Sequence, residues 1–148
     1  MPFALTSPAF DNGQPIPAVY SCAGENVSPP LAWHDAPAGT ESFVLVIEDP
    51  DAPAGTFRHW GAYGIPANAS SLPQGAGRTL RSVRNDFGRA GYDGPCPPPG
   101  APHHYHFRLA ALRVAELAVP PGADAAALWR AAEPYALGEA DLIGTFRR

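Results

Sequence analysis

The chain has 148 residues, 45% of them hydrophobic, and a net charge of −4 in which 14 acidic residues stand against ten basic ones, all arginine. That length and apolar share fit a single domain, 1–148, with its own core; the charge is interspersed and forms no basic stripe, which argues against nucleic-acid binding. The N-terminal stretch MPFALTSPAF has neither a basic leader nor a long apolar run, and no segment approaches the roughly 18 apolar residues of a membrane span, so a cytoplasmic protein is expected.

With 19 prolines and 15 glycines the fold should be rich in turns yet packed. The first third of the chain is punctuated by Pro, Gly, Ser and Asn and reads as short strands with turns, one of them near 16–20. Ser28-Pro29-Pro30-Leu31, followed by Trp33, reads as an extended crossing segment anchored by the indole. Residues 42–49 are rich in Val, Ile and Phe without alternating polarity, the pattern of a central strand covered on both faces. A second strand is expected at 59–65, ended by Pro66, and a third at 103–114. One helix is expected at 124–133, introduced by Pro120-Pro121-Gly122 and stopped by Pro134, and a short helical turn at 139–142. Strands outnumber helices, which predicts a mainly β protein, a sandwich with one or two short peripheral helices near the C-terminus.

Side chains alternate along a strand, so residues two apart share a face. Phe43, Leu45 and Ile47 therefore share the face that Asp49 inherits at the strand's end. A carboxylate there needs a partner or a pocket, because burying it bare costs several kcal/mol. Pro50 takes the chain out of the ladder, and Asp51 is read as the cap of the turn that follows. In the third strand His103, Tyr105, Phe107 and Leu109 fall on one face, while His104, His106 and Arg108 fall on the other, wetter one. His59 lies eight residues beyond Asp51, so pairing of neighbouring strands would bring Asp49, His59 and His103 to one rim of a sheet. The stiff segment Gly94-Pro95-Cys96-Pro97-Pro98-Pro99-Gly100 precedes His103 and suits a pocket wall, where Gly94 would let a ligand approach the main chain.

Taken together, Ser28-Pro29-Pro30-Leu31-x-Trp33, Asp49-Pro50-Asp51-Ala52-Pro53, His59-Trp60, Gly94-Pro95-x-Pro97-Pro98 and His103-x-Tyr105-x-Phe107 resemble the phosphatidylethanolamine-binding protein family, in particular its short bacterial branch likened to Raf-kinase inhibitors. The resemblance spans most of the chain. It implies a β-sandwich with Greek-key connections and a small pocket for phosphate-like or carboxylate-like anions, including a phospholipid head group. Carried over, the ligand-binding set is Asp49, Pro50, His59, Gly94, Pro95, His103 and Tyr105. His104 stands where many members carry Arg. The resemblance also allows a kinase or protease as a regulated protein partner, and an exposed sheet would offer a surface for a homodimer.

No cofactor or metal is expected, and the leading reading is a binding protein, not an enzyme. In it His59 and His103 donate to the anion and Asp49 orients a histidine. Two histidines and a carboxylate also describe a facial metal triad with open positions. A third reading is a hydrolase with Cys96 as nucleophile, His103 as base and Asp49 as orienter. Cys22 and Cys96 are the only cysteines, and their spacing along the chain leaves open whether they pair.

Overall fold

A computed structural model describes residues 2–148. Its strands are β1 (Ala4–Thr6), β2 (Leu31–His34), β3 (Ser42–Asp49), β4 (Phe57–Pro66), β5 (Ser71–Leu72), β6 (Arg81–Ser82), β7 (His103–Leu112) and β8 (Ala136–Phe146), with one α-helix, α1 (Ala125–Ala132), before β8. They form two antiparallel sheets, β1-β2-β5 and β6-β4-β3-β7-β8. In the larger sheet β7 lies beside β3, with β4 and β6 on β3's other side. The order β7-β3-β4-β6 has the spatial arrangement of a Greek key, with β5 of the smaller sheet inserted in the chain between β4 and β6. Its long return, residues 83–102, holds the proline-rich loop and runs over the end of the sheet where Asp49 sits.

The unbroken apolarity of β3 has the cause expected of it. Phe43, Leu45 and Ile47 join a cluster with Leu31 and Trp33 of the small sheet, whereas Val44 and Val46 pack against Leu128 and Trp129 of α1. One strand thus serves two cores, and from Ser42 to Ile47 every residue is buried. The helix starts where its cap dictates: the Asp124 side chain accepts a hydrogen bond from the Ala127 N–H at 2.9 Å, satisfying one of the amides a helix N-terminus leaves free.

Two expected elements differ. Residues 16–20 do not form a strand: Ala18–Tyr20 is a single 3₁₀ turn after Pro17, whose missing N–H and fixed φ suit a turn better than a ladder. Residues 139–142 are not helical but lie in β8, which pairs with β7 from His103↔Phe146 to Leu112↔Ala136. The physical signal was the alternation at Ala140 and Leu142, which point to the core while Glu139 and Asp141 face outward. That period of two outweighs the helix propensity of Ala, Glu and Leu.

Candidate functional site

The site grows from the ends of three adjacent strands. Asp49 closes β3 opposite Phe57 of β4, and β7 begins at His103 on β3's other flank. Between β3 and β4 the register slips: Ile47 faces Trp60 and Glu48 faces Arg58, so His59 is left without a cross-strand partner. This is a β-bulge, which re-aims a side chain by breaking the alternation. Trp60 keeps to the core face, Arg58 pairs outward with Glu48 at 3.4 Å, and His59 turns into the space between them and the overlying loop.

There Asp49, His59, His103 and Tyr105 line one cavity of about 130 Å³, with Phe57, Phe87, Ala52, Pro53, Cys96, Pro97 and Pro98. The Phe57 and His59 rings lie 5.0 Å apart, and His59 and Tyr105 meet edge-on at 5.3 Å, contacts that fix the imidazole plane. Asp49 is engaged twice. Its Oδ2 accepts from His103 Nδ1 at 2.6 Å, and its Oδ1 accepts from the Asp51 N–H at 2.8 Å. The cap of the turn is therefore Asp49 and not Asp51. Asp51 instead reaches the neighbouring strand, where its Oδ2 accepts from both the backbone N–H and the ring Nδ1 of His104, each at 2.8 Å. The His104 ring hydrogen bond, then its backbone one, hold the Asp51 carboxyl below the usual carboxylate range.

His59 is anchored differently. Its Nδ1 donates to the backbone carbonyl of Asp93 at 2.8 Å, and the Asp93 N–H returns a bond to the His59 carbonyl at 3.2 Å. Burial pushes this imidazole below its ordinary pKa, outweighing the opposite pull of the Asp93 carbonyl, the Asp49 carboxylate and the Gly94 backbone. Burial likewise pushes the Tyr105 phenol up, reinforced by Asp49 and Asp51, so it stays protonated at neutral pH. Among the described residues, neither histidine Nε2 nor the Tyr105 hydroxyl has a hydrogen-bond partner, and the one unpartnered polar side-chain atom wholly shut from solvent is Trp33 Nε1. The two Nε2 atoms and the phenol are thus the groups left for an occupant of the cavity they line.

Pro50, Gly94 and Pro95 do not belong to the cavity lining. Pro50 is exposed beyond the strand end. Gly94 is small for a different reason from the one expected: a Cβ there would run into the Tyr20 carbonyl, and its N–H donates to Asn26 Oδ1 at 2.8 Å. The chain that approaches its main chain is the protein's own. Pro95 is buried and its carbonyl accepts from the Cys22 N–H at 3.0 Å. Cys22 and Cys96 are joined by a disulfide across 74 residues, so Cys96 stands in the cavity wall without a thiol, which removes the nucleophile of the hydrolase reading.

Asp93 is the residue that sequence reasoning passed over. Its carboxylate accepts from Asn85 Nδ2 at 2.7 Å, from Arg89 Nε and a terminal guanidinium nitrogen at 3.0 and 2.8 Å, and from Asn26 Nδ2 at 3.4 Å. Burial pushes its pKa up, but the Arg89 and Asn85 hydrogen bonds overcome it and hold the carboxyl below the usual range. The only signal in the chain was the polar cluster between Asn85 and Asp93, which no strand or helix pattern explains. Phe57 and Phe87, the aromatic wall, were missed as well.

The model of the family described as phosphatidylethanolamine-binding protein matches residues 6–147. The chain belongs to the phosphatidylethanolamine-binding protein family. Within that family it is 44% identical to a UPF0098 protein of Aquifex aeolicus, the alignment covering 96% of this chain and 86% of the relative. It is 46% identical to a Mycobacterium tuberculosis chain whose name marks it as a candidate lipoprotein, LppC, over 98% of this chain and 72% of the other. The crystal structure of Escherichia coli YbcL, described as a new member of the mammalian PEBP family, superposes with a TM-score of 0.93 at 33% identity, covering 99% of this chain and 98% of that one. Family membership supports a ligand-binding protein of this fold. No helix among the described residues is long and apolar enough to cross a membrane.

Proposed function

We propose that the cavity at the ends of β3, β4 and β7 binds a small oxyanion of the phosphate or carboxylate class, free or as a phospholipid head group. One observation carries the reading: the Asp49 carboxylate holds His103 by Nδ1 at 2.6 Å, leaving Nε2 as the nitrogen open to the cavity that Tyr105 also lines. The carboxylate at Nδ1 fixes the plane of the His103 ring and sets its Nε2 toward an occupant of the cavity. The Tyr105 hydroxyl is a donor that faces the same cavity, and the Phe57 and Phe87 rings line it beside the histidines. Asp49 itself is not offered to the anion, since both its oxygens are occupied by protein donors.

Calorimetric titration with inorganic phosphate and with acetate tests this. Saturable binding is expected, weakened about tenfold or more in His103→Ala and several-fold in Tyr105→Phe, in line with the loss of hydrogen bonds to the ligand. Heat indistinguishable from dilution for both anions would remove the reading. The metal reading finds less support: among the described residues no three His, Cys, Asp or Glu side chains are grouped as a metal site, and Asp49 and His103 are turned toward each other.

The disulfide supports residence of the folded protein in an oxidising compartment in place of the cytoplasm, because such bonds persist where thiols are not kept reduced. The lipoprotein name of the mycobacterial relative points the same way. Non-reducing mass spectrometry of the protein recovered from separated cell fractions decides between the two.

A further inference from the structure

His59 and His103 line the same cavity, yet they are held by different anchors, a backbone carbonyl and a carboxylate. A carbonyl oxygen can only accept, so the bond to the Asp93 carbonyl places a proton on His59 Nδ1. In the neutral ring Nε2 is then a bare lone pair. The setting favours that neutral ring. His59 is 4% exposed, its rim is built by the Phe57, Phe87 and Tyr105 rings, and its anchor is an uncharged carbonyl.

The charged and titratable groups around it do not reverse this. The Asp49 carboxylate on β3 is committed to His103 and to the Asp51 N–H. The Asp93 carboxylate, on the loop that carries the anchoring carbonyl, is neutralised by Arg89 and held by Asn85 and Asn26. On β7, Tyr105 is a phenol, and His103 is the ring paired with a carboxylate. An anion entering between the two histidines therefore meets a donor at the Tyr105 hydroxyl and an acceptor at His59.

We propose that His59 is a selectivity residue: its Nε2 accepts a hydrogen bond from the ligand, so the cavity takes oxyanions that retain an O–H, such as hydrogen phosphate or a singly protonated phosphate monoester, and disfavours fully deprotonated ones such as sulfate. This rests on the oxyanion reading above and narrows it: acetate and the diester phosphate of a phospholipid head group, which have no O–H to donate, are expected to bind more weakly than hydrogen phosphate. An oxygen without hydrogen set against that lone pair would leave two acceptors facing each other at a buried ring, a mismatch of the kind that is costly.

The test is calorimetry on the unmodified protein at about pH 8 with three probes, inorganic phosphate, methyl phosphate and sulfate. Inorganic phosphate keeps one O–H there, whereas a phosphate monoester, with its second pKa near 6, has lost it and sulfate has none. Inorganic phosphate is expected to bind about tenfold or more tightly than the other two, the size of one unmet buried hydrogen bond. Methyl phosphate should recover toward inorganic phosphate as the pH falls below about 6, where it regains its O–H. Equal binding of phosphate and sulfate would overturn the proposal while leaving the oxyanion reading intact; binding of neither would end both. Nitrogen-15 spectra of the imidazoles give an independent readout. His59 Nε2 is expected to remain unprotonated in the phosphate complex, and its protonation on binding would overturn the assignment. In His59→Gln, whose amide can turn either an oxygen or an NH₂ to the ligand, the preference for phosphate over sulfate should shrink.

Discussion

His59 and His103 are fastened through the same ring atom, Nδ1, but to partners of different charge, a backbone carbonyl at 2.8 Å and a carboxylate at 2.6 Å. Burial beside an uncharged carbonyl suits His59 to remain neutral, whereas His103 is held by a carboxylate, although the two meet the same cavity.

Asp49→Asn keeps the shape of the strand end and removes the charge facing His103. The amide oxygen can still serve the Asp51 N–H, so the turn should survive. Phosphate affinity is expected to fall about tenfold or more, and stability by about 1–3 kcal/mol, as a charged hydrogen bond becomes a neutral one. Calorimetry and urea unfolding measure the two effects, and unchanged affinity would show that the carboxylate does not act through His103.

Stability should decline in two stages as the solution is acidified. His59 has a depressed pKa in the folded protein, against 6.5 for the free group. The unfolded chain therefore takes up its proton first, and the stability present above 6.5 is lost as pH falls toward the folded value. Asp51 and Asp93 follow the same sign from 3.8, their contribution being lost as pH falls through their lower folded values. Melting midpoints across this range should show an early slope that disappears in His59→Gln and a late one reduced in Arg89→Ala. A midpoint flat between neutrality and pH 5 would contradict the first stage.

Reduction of Cys22–Cys96 should cost about 4 kcal/mol on chain-entropy grounds for a loop of this length. It should also loosen the wall formed by Cys96, Pro97 and Pro98. Urea unfolding with and without a dithiol measures the first. Proteolysis is expected to become faster within residues 94–102, and a reduced protein with the same midpoint and the same cleavage pattern would speak against this role for the bond.

Gly94→Ala separates a structural from a ligand-contact role for that glycine. The added methyl would meet the Tyr20 carbonyl and Asn26 Oδ1, so a loss of about 1–3 kcal/mol is expected from overpacking. Anion affinity measured well below the melting midpoint should stay within a factor of about two or three, since Gly94 lies outside the cavity lining. A large loss of affinity without loss of stability would return Gly94 to the binding surface.

Much of the scaffold was readable because its physics is local. An apolar run rich in Val, Ile and Phe with no alternation reads as a strand with two covers, and residues 42–49 are β3. The alternation of His103, Tyr105 and Phe107 placed the third strand's inner face, and Asp124 with the prolines around it delimited α1. The sequence by itself thus determined a mainly β chain, a carboxylate at the inner end of a central strand and a histidine-tyrosine pair on the next.

The tertiary structure decided the rest. The bulge that turns His59 inward is a mismatch between two strands, and no spacing within either one reports it. The division of labour between Asp49 and Asp51 depends on which donors the folded chain brings within 3 Å, Asp51's own N–H and His103 for one and His104 for the other. Asp93, Asn26, Asn85 and Arg89 become a unit only when segments up to 67 residues apart converge behind His59. Periodicity tells a side chain which face to take; the proton on a histidine is placed by whichever acceptor the fold sets against it.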